Sequence, residues 1–172
     1  LPMYHKLLVV SDVAVIPYPD LSQKTAIVRY LTATAKVLGV ECPKIAAIAP
    51  SEQLLASVQS SVEAAVLAKM ADRGQLGDVV LDGPLALDVA LFEEVARTKH
   101  LSSPVAGDAD CLLMPNLDAA NVFFKSANHL CNASLAAMVA GTKAPCVLTS
   151  RGDSAESKLY SIALAALSAK LF

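Results

Sequence analysis

Short apolar runs alternate along the chain with longer stretches whose apolar residues recur at helical spacing. The runs at residues 6–10, 44–49, 77–81 and 111–114 lack the in–out alternation of a half-exposed strand, which predicts strands buried on both faces. A second short run at 13–16 is stopped by Pro17 and Pro19. Residues 21–38 carry Ile27, Leu31, Ala35 and Leu38 on one stripe, with Asp20 placed to cap the start and Gly39 to end the helix. Further helices are predicted over residues 51–72, with an interruption near Ser60 and Ser61, and over 87–99 and 117–130. Two more strands are expected, one at 135–139 and one spanning 144–149. The last helix starts near Asp153 and runs to the final residue, with Leu159, Ile162, Ala163, Ala166 and Leu167 on its apolar stripe.

Apolar strands alternating with helices predict an α/β fold whose sheet is covered on both faces. In such sheets the chemistry collects in loops at the carboxyl ends of strands. Five loops there carry polar residues: Ser11-Asp12, Ser51-Glu52, Asp82-Gly83, the segment 116–121, and the stretch Leu148-Thr149-Ser150-Arg151-Gly152-Asp153-Ser154-Ala155-Glu156. The last is the strongest candidate. A hydroxyl-rich turn between a strand and a helix start presents free N–H groups and the positive end of the helix dipole, a natural anion site. Arg151 adds a cation whose fork suits phosphate oxygens. Each of these residues also has a structural reading. Arg151 can pair with Asp153, and Asp153 and Glu156 have the spacing of a helix-capping pair. Asp82-Gly83-Pro84 reads as a turn. Asn121 and Lys125 share a helix face, where they can reach a ligand or stay solvated.

Composition narrows the picture. Hydrophobic residues make up 55% of the 172 and charged ones 17%, with four Phe, four Tyr and no Trp, a supply suited to small-residue helices packed on a buried sheet. The net charge of −2 gives no basic footprint for nucleic acid. No stretch has the unbroken apolar length to span a membrane, and no signal peptide is evident. Cys42, Cys111, Cys131 and Cys146 form no CxxC pair, so buried reduced thiols in a cytoplasmic protein are expected rather than a metal site. His5, His100 and His129 have no ligand spacing. GxSxG, GxGxxG and Walker patterns are absent, which argues against a serine hydrolase, a dinucleotide site and a P-loop.

Three longer motifs carry a resemblance. Val80-Leu81-Asp82-Gly83-Pro84-Leu85-Ala86-Leu87-Asp88, Ser103-Pro104-Val105-Ala106-Gly107-Asp108-Ala109-Asp110 and the 148–156 stretch resemble the phosphate acetyl/butyryltransferase family. So do Tyr4-His5-Lys6-Leu7-Leu8, Pro19-Asp20-Leu21 and Leu38-Gly39-Val40-Glu41-Cys42-Pro43-Lys44. The Gly107-Asp108-Ala109-Asp110 and Asp153-Ser154-Ala155-Glu156 segments are more similar to the butyryl-type branch.

The resemblance implies a three-layer α/β/α fold like that of the isocitrate and isopropylmalate dehydrogenases. It implies acyl transfer between coenzyme A and inorganic phosphate, both as substrates, with no tightly bound cofactor and no metal. It implies a cytoplasmic homodimer. Against the family's length, the chain corresponds to the second half: the second domain over residues 1–143, then a strand and helix over 144–172 that return to the first domain. Such a half is expected to be inactive alone. Ser150, Arg151 and Ser154 are the implied phosphate ligands, and Asp82, Asn121 and Lys125 the implied acyl-CoA side of the cleft. The acetyl-type enzymes place a proposed base at the position of Ser157. Here Glu156 is the candidate base and Asp153 the reserve, with Arg151 beside them in the catalytic group. The family's PDLEAGN-like motif reads Pro115-Asn116-Leu117-Asp118-Ala119-Ala120-Asn121, with Ala120 in place of a Gly. Two alternatives stand beside this reading: a non-catalytic binding or dimerisation module, and a metal-dependent dehydrogenase on the same fold that would draw on Asp82, Asp108 and Asp110.

Overall fold

The computed structural model describes residues 1–171, apart from the side chains of 170 and 171. The chain divides into two compact units. One is residues 4–124, and the other combines 125–172 with 1–3.

The first unit is built on a four-stranded parallel sheet of β1 (Val9–Ser11), β2 (Lys44–Ile48), β3 (Val80–Leu85) and β4 (Cys111–Leu113), in the order β1-β4-β2-β3. β4 pairs Cys111 with both Val9 and Ile45, which centres it between β1 and β2. Ile45, Ala47, Cys111 and Leu113 face helices α1 (Leu21–Val37) and α2 (Gln59–Asp72), whose Ile27, Val28, Leu31, Ala35, Ala64 and Leu67 complete one core. Ala46 and Leu112, one position away, are fully buried on the opposite face. That face has α3 (Leu87–Leu91) against β2, with Val89 and Ala90 also fully buried. The apolar runs without alternation therefore do what was expected of them: both faces of the sheet are covered.

The second unit holds the end of α5 (Leu117–His129), an irregular stretch, α6 (Ala155–Leu167) and a 3-10 turn at Ser168–Leu171. Phe172, the last residue of the predicted final helix, lies outside the described residues.

Several elements differ from the sequence reading. Residues 13–16 form no strand, because the Asp12 carboxylate gathers the N–H groups of Ala14, Val15 and Ile16 around itself. The helix predicted from residue 51 begins only at Gln59. Before it, the Ser61 hydroxyl donates to the Gln53 carbonyl and accepts from the Leu55 N–H, holding the chain in a loop. Asp82-Gly83-Pro84 is not a turn but part of β3. A Cβ at Gly83 would come within 2.8 Å of Ala47, so only glycine lets the strand lie this close to β2. The helix expected over 87–99 breaks at Phe92, whose extended backbone separates α3 from α4 (Glu93–Thr98). The strands expected at 135–139 and 144–149 reduce to one antiparallel bridge between Val139 and Cys146. A lone strand pair with no further strand to join is marginal. Three of the four cysteines, Cys42, Cys131 and Cys146, are exposed rather than buried. Cys111 alone is enclosed, and burial, reinforced by the Asp110 charge, pushes its thiol up to about 12.

Candidate functional site

The two candidate regions lie in different units, and each has its own geometry. In the second unit, Ser154 caps α6: its Oγ accepts from the Ser157 N–H at 3.1 Å. The pairing of Asp153 with Glu156 as a capping box is therefore corrected. Asp153 instead turns back, and its Oδ2 accepts from the Ser150 N–H at 2.7 Å while its own N–H donates to the Ser150 carbonyl. The turn is thus closed on itself by a carboxylate, and that carboxylate holds an N–H that an anion would otherwise meet. Arg151 is exposed and forms no ion pair among the described residues, so the alternative structural reading, a pairing with Asp153 or another surface carboxylate, is not seen there. Glu156 is exposed on the first turn of α6, where Tyr160 Oη donates to its Oε1. Ser157 is buried with its Oγ 3.1 Å from Ser154 Oγ. Lys125 also belongs to this unit.

In the first unit, Asp82 Oδ1 accepts from the neighbouring Gly83 N–H. Asn121 Nδ2 donates to the Val13 carbonyl at 3.1 Å. It fastens the loop after β1 to α5, as does the Tyr18 hydroxyl on Asp118. Ala120 is fully buried, so its methyl is packed into the interior.

Sequence reasoning missed a sizeable concavity of this unit. A cleft of about 520 Å³ opens where β2 and β4 end, walled by Ile48, Pro50, Val58 and Pro115 and edged by Gln59, Asn116 and Ala119. Lys24 of α1 and Glu63 of α2 line it as an ion pair, with Lys24 only 4% exposed. Glu63 also receives Gln59 Nε2 on its other oxygen. The sequence did hold a signal for this pair. Lys24 precedes Ile27, Val28 and Leu31 on the same buried stripe of α1, a place where an unpartnered cation is not tolerated. Neither Asp82 nor Asn121 lines this cleft.

A second charged cluster sits at the amino ends of the strands. Asp108 meets Lys44 and Lys6 at 2.7 Å each and His5 at 3.1 Å, and Lys6 also reaches Asp110 at 2.8 Å. Partial burial opposes charge on Asp108, but hydrogen bonds from Lys44, Lys6 and His5 outweigh it and hold the carboxyl well below the usual carboxylate range. Burial also raises the Tyr4 hydroxyl to about 12, with Lys6 opposing and Asp108 and Asp110 adding. That hydroxyl donates to the Ala109 carbonyl. Lys6 and Lys44 thus engage two of the three carboxylates, Asp108 and Asp110, on which the dehydrogenase alternative would draw, and Asp82 is not among their partners. Among the described residues no group of three or more His, Cys, Asp or Glu is placed to hold a metal ion, and no helix is long and apolar enough to cross a membrane.

Comparison with known proteins gives these features a frame. The chain is similar to the phosphate butyryltransferase of Clostridium beijerinckii, 45% identical over 164 residues that make up 95% of this chain and 54% of that protein. It is 41% identical to the phosphate acetyltransferase of Thermotoga maritima over 97% of this chain and 57% of that one. In structure it matches a branched-chain phosphotransacylase from Enterococcus faecalis V583 with a TM-score of 0.85 at 35% identity, covering 93% of this chain and 57% of the other. The chain thus spans about half the length of the curated relatives it matches. The model of the phosphate acetyl/butaryl transferase family matches residues 2–166, and the chain belongs to that family.

Proposed function

We propose that this chain supplies half of an enzyme that moves a short acyl group between coenzyme A and inorganic phosphate. The observation that carries the reading is the family match across nearly the whole chain. A phosphate oxygen attacks the thioester carbonyl carbon, the C–S bond breaks, and the sulfur leaves as coenzyme A thiolate while the acyl phosphate forms. No protein nucleophile is required. The site must hold and aim the phosphate and offset charge on the carbonyl oxygen and the departing sulfur.

In this reading Ser150, Arg151 and Ser154 hold the phosphate. Glu156 takes the phosphate's proton, and its exposed position on the first turn of α6 supports that role. Asp153 is the reserve base. It would first have to release the Ser150 N–H, which ranks it second. Asp82, Asn121 and Lys125 form the acyl-CoA side. Butyryl-CoA is favoured over acetyl-CoA, because the butyryl-type relative described above is the nearer of the two in sequence. The reading takes a homodimer and a cytoplasmic setting from the family. The domain assignment, with residues 1–143 as a second domain and 144–172 returning to a first, belongs to the same proposal.

The half-length span favours one second reading, in which the chain is a binding or dimerisation module without turnover of its own. Free-thiol release from butyryl-CoA and from acetyl-CoA, measured with phosphate present and absent, separates the two. The full-length protein is expected to release thiol only with phosphate, and the 172-residue chain alone to be inactive. Failure of the full-length protein with both thioesters would sink the acyltransferase reading.

A further inference from the structure

The Ser51-Glu52 loop at the carboxyl end of β2 opens a stretch, residues 51–57, that borders the cleft without lining it. Pro50 before the stretch and Val58 after it both line the cleft. Residues 53–57 are exposed, with Leu54 left 73% exposed in the middle. Two ties hold the stretch there. The Ser61 side chain, 1% exposed in α2, donates to the Gln53 carbonyl and accepts from the Leu55 N–H, each at 2.9 Å. On the other side the Glu52 carboxylate meets Lys99 at 3.4 Å, an ammonium it shares with Asp88.

Ser61 grips the residues on either side of Leu54, so it fixes where that side chain points. Nothing else anchors the stretch firmly. None of residues 51–57 is buried, and a segment with so few buried contacts opens at low cost in free energy. The partly exposed Glu52–Lys99 pair adds little. Against these ties stands the gain from burying Leu54, which is of the same order as two ordinary hydrogen bonds. The chain is long enough to make that exchange. Leu54 lies four residues from Pro50 and four from Val58, and four extended residues reach up to about 13 Å. That is enough to cross a cleft of about 520 Å³. The cleft also offers Leu54 a matching surface in Ile48, Pro50, Val58 and Pro115.

We propose that residues 51–57 form a lid with two positions. The open position is the one described above, and Ser61 is its latch. In the closed position the bonds from Ser61 to Gln53 and Leu55 are given up, and Leu54 covers the apolar wall of the cleft. The lid thereby controls when the cleft is open to water and solutes.

The test needs no substrate, so its outcome is separate from the acyl-transfer reading. Leu54→Trp places an indole at the tip of the lid, in a chain with no tryptophan of its own. Acrylamide quenching of the full-length protein, taken as the difference from the same protein without the substitution, reports the exposure of that indole. With Ser61 in place the indole is expected to be quenched freely. Adding Ser61→Ala releases the latch and is expected to cut the quenching constant at least about threefold, a shift to a mostly closed population. Ala119, exposed at the cleft edge, offers a way to block closure. Ala119→Phe added to the released variant is expected to restore free quenching. An indole as open in Ser61→Ala as with Ser61 intact would overturn the lid. Protection that Ala119→Phe leaves untouched would overturn closure on this cleft. Hydrogen exchange in the unsubstituted protein covers a Ser61→Ala variant that does not fold. The Leu55 N–H is expected to exchange through local opening, at a rate that low denaturant leaves unchanged. Exchange that follows global unfolding instead would overturn the proposal.

Discussion

Tyr160 Oη donates to Glu156 Oε1 across 2.6 Å, one turn apart on the exposed face of α6. The hydrogen bond to Glu156, and then the Glu156 charge, raise the Tyr160 pKa, so the hydroxyl keeps its proton and remains a donor through the neutral range. If Glu156 takes the phosphate's proton, Tyr160 fixes the direction in which its carboxylate points. Replacing Glu156 by Gln is then expected to lower kcat by about 10²- to 10⁴-fold with little change in KM, the usual size of a general-base effect. Tyr160→Phe should cost less, about tenfold, as the loss of one orienting hydrogen bond. Steady-state kinetics on the full-length protein decide the matter. A Glu156→Gln enzyme of normal kcat would transfer the role to Asp153.

Arg151 offers a second kinetic test. It is exposed and without an ion-pair partner among the described residues, so its removal strands no buried carboxylate and should leave stability alone. The expected outcome of Arg151→Ala is a rise of roughly 10- to 100-fold in KM for phosphate, as one charge-assisted contact is lost, with KM for the acyl-CoA unchanged. Arg151→Lys should recover only part, because an ammonium does not reproduce the two-pronged geometry. Phosphate kinetics that do not move in Arg151→Ala would take the residue out of the site.

The cluster around Asp108 predicts how the fold responds to pH. Asp108 is held below its unfolded value of 3.8, so the unfolded chain takes up the proton first as pH falls. Its stabilisation is complete above that value and is lost as pH drops toward the folded pKa. Lys6 is shifted the other way. Burial opposes its charge, but Asp108 and Asp110 outweigh burial and raise it above 10.5. Its contribution is present below that pH and is lost as pH rises past the folded value. Denaturant midpoints measured across pH should therefore fall at both extremes. Asp108→Asn should flatten the acid limb, and an acid limb as steep as wild type in that variant would contradict the assignment.

Much of the first unit could be read from the chain because its elements are set locally. Asp20 caps α1 as expected, with Gln23 completing the reciprocal bond, and Gly39 follows the helix end at a positive φ of 94°. Within the run at 44–49, Lys44–Ile48 forms a strand buried along most of its length, because its own composition demands two covered faces. What escaped depends on partners far away in sequence. Asp82-Gly83-Pro84 has turn composition, but pairing with β2 and contact with Ala47 keep it in the strand. Residues 144–149 have strand composition, yet one bridge to Val139 is the only β pairing they make among the described residues. Of the 148–156 stretch, sequence spacing found the cap region but not its members. Asp153 and Ser154 are both good capping residues, and only the backbone geometry decides that Ser154 caps while Asp153 closes the turn.

The Lys24–Glu63 pair makes the sharpest stability prediction. The two residues come from helices 39 positions apart, and their side chains are 6% and 14% exposed. Two charges this deep lose their hydration, and their attraction roughly offsets that loss only while both remain. Lys24→Met alone strands the Glu63 carboxylate, held then by Gln59 only, and is expected to cost about 3–5 kcal/mol. Glu63→Leu alone strands the ammonium and should cost a similar amount. The double variant removes both charges, extends the apolar surface that Ile27, Leu31 and Leu67 already form, and is expected to match or exceed wild-type stability. Urea unfolding of the four proteins gives the coupling directly. Additive losses in the double variant would mean that the two side chains do not interact, and that the cleft is lined by two independent charges.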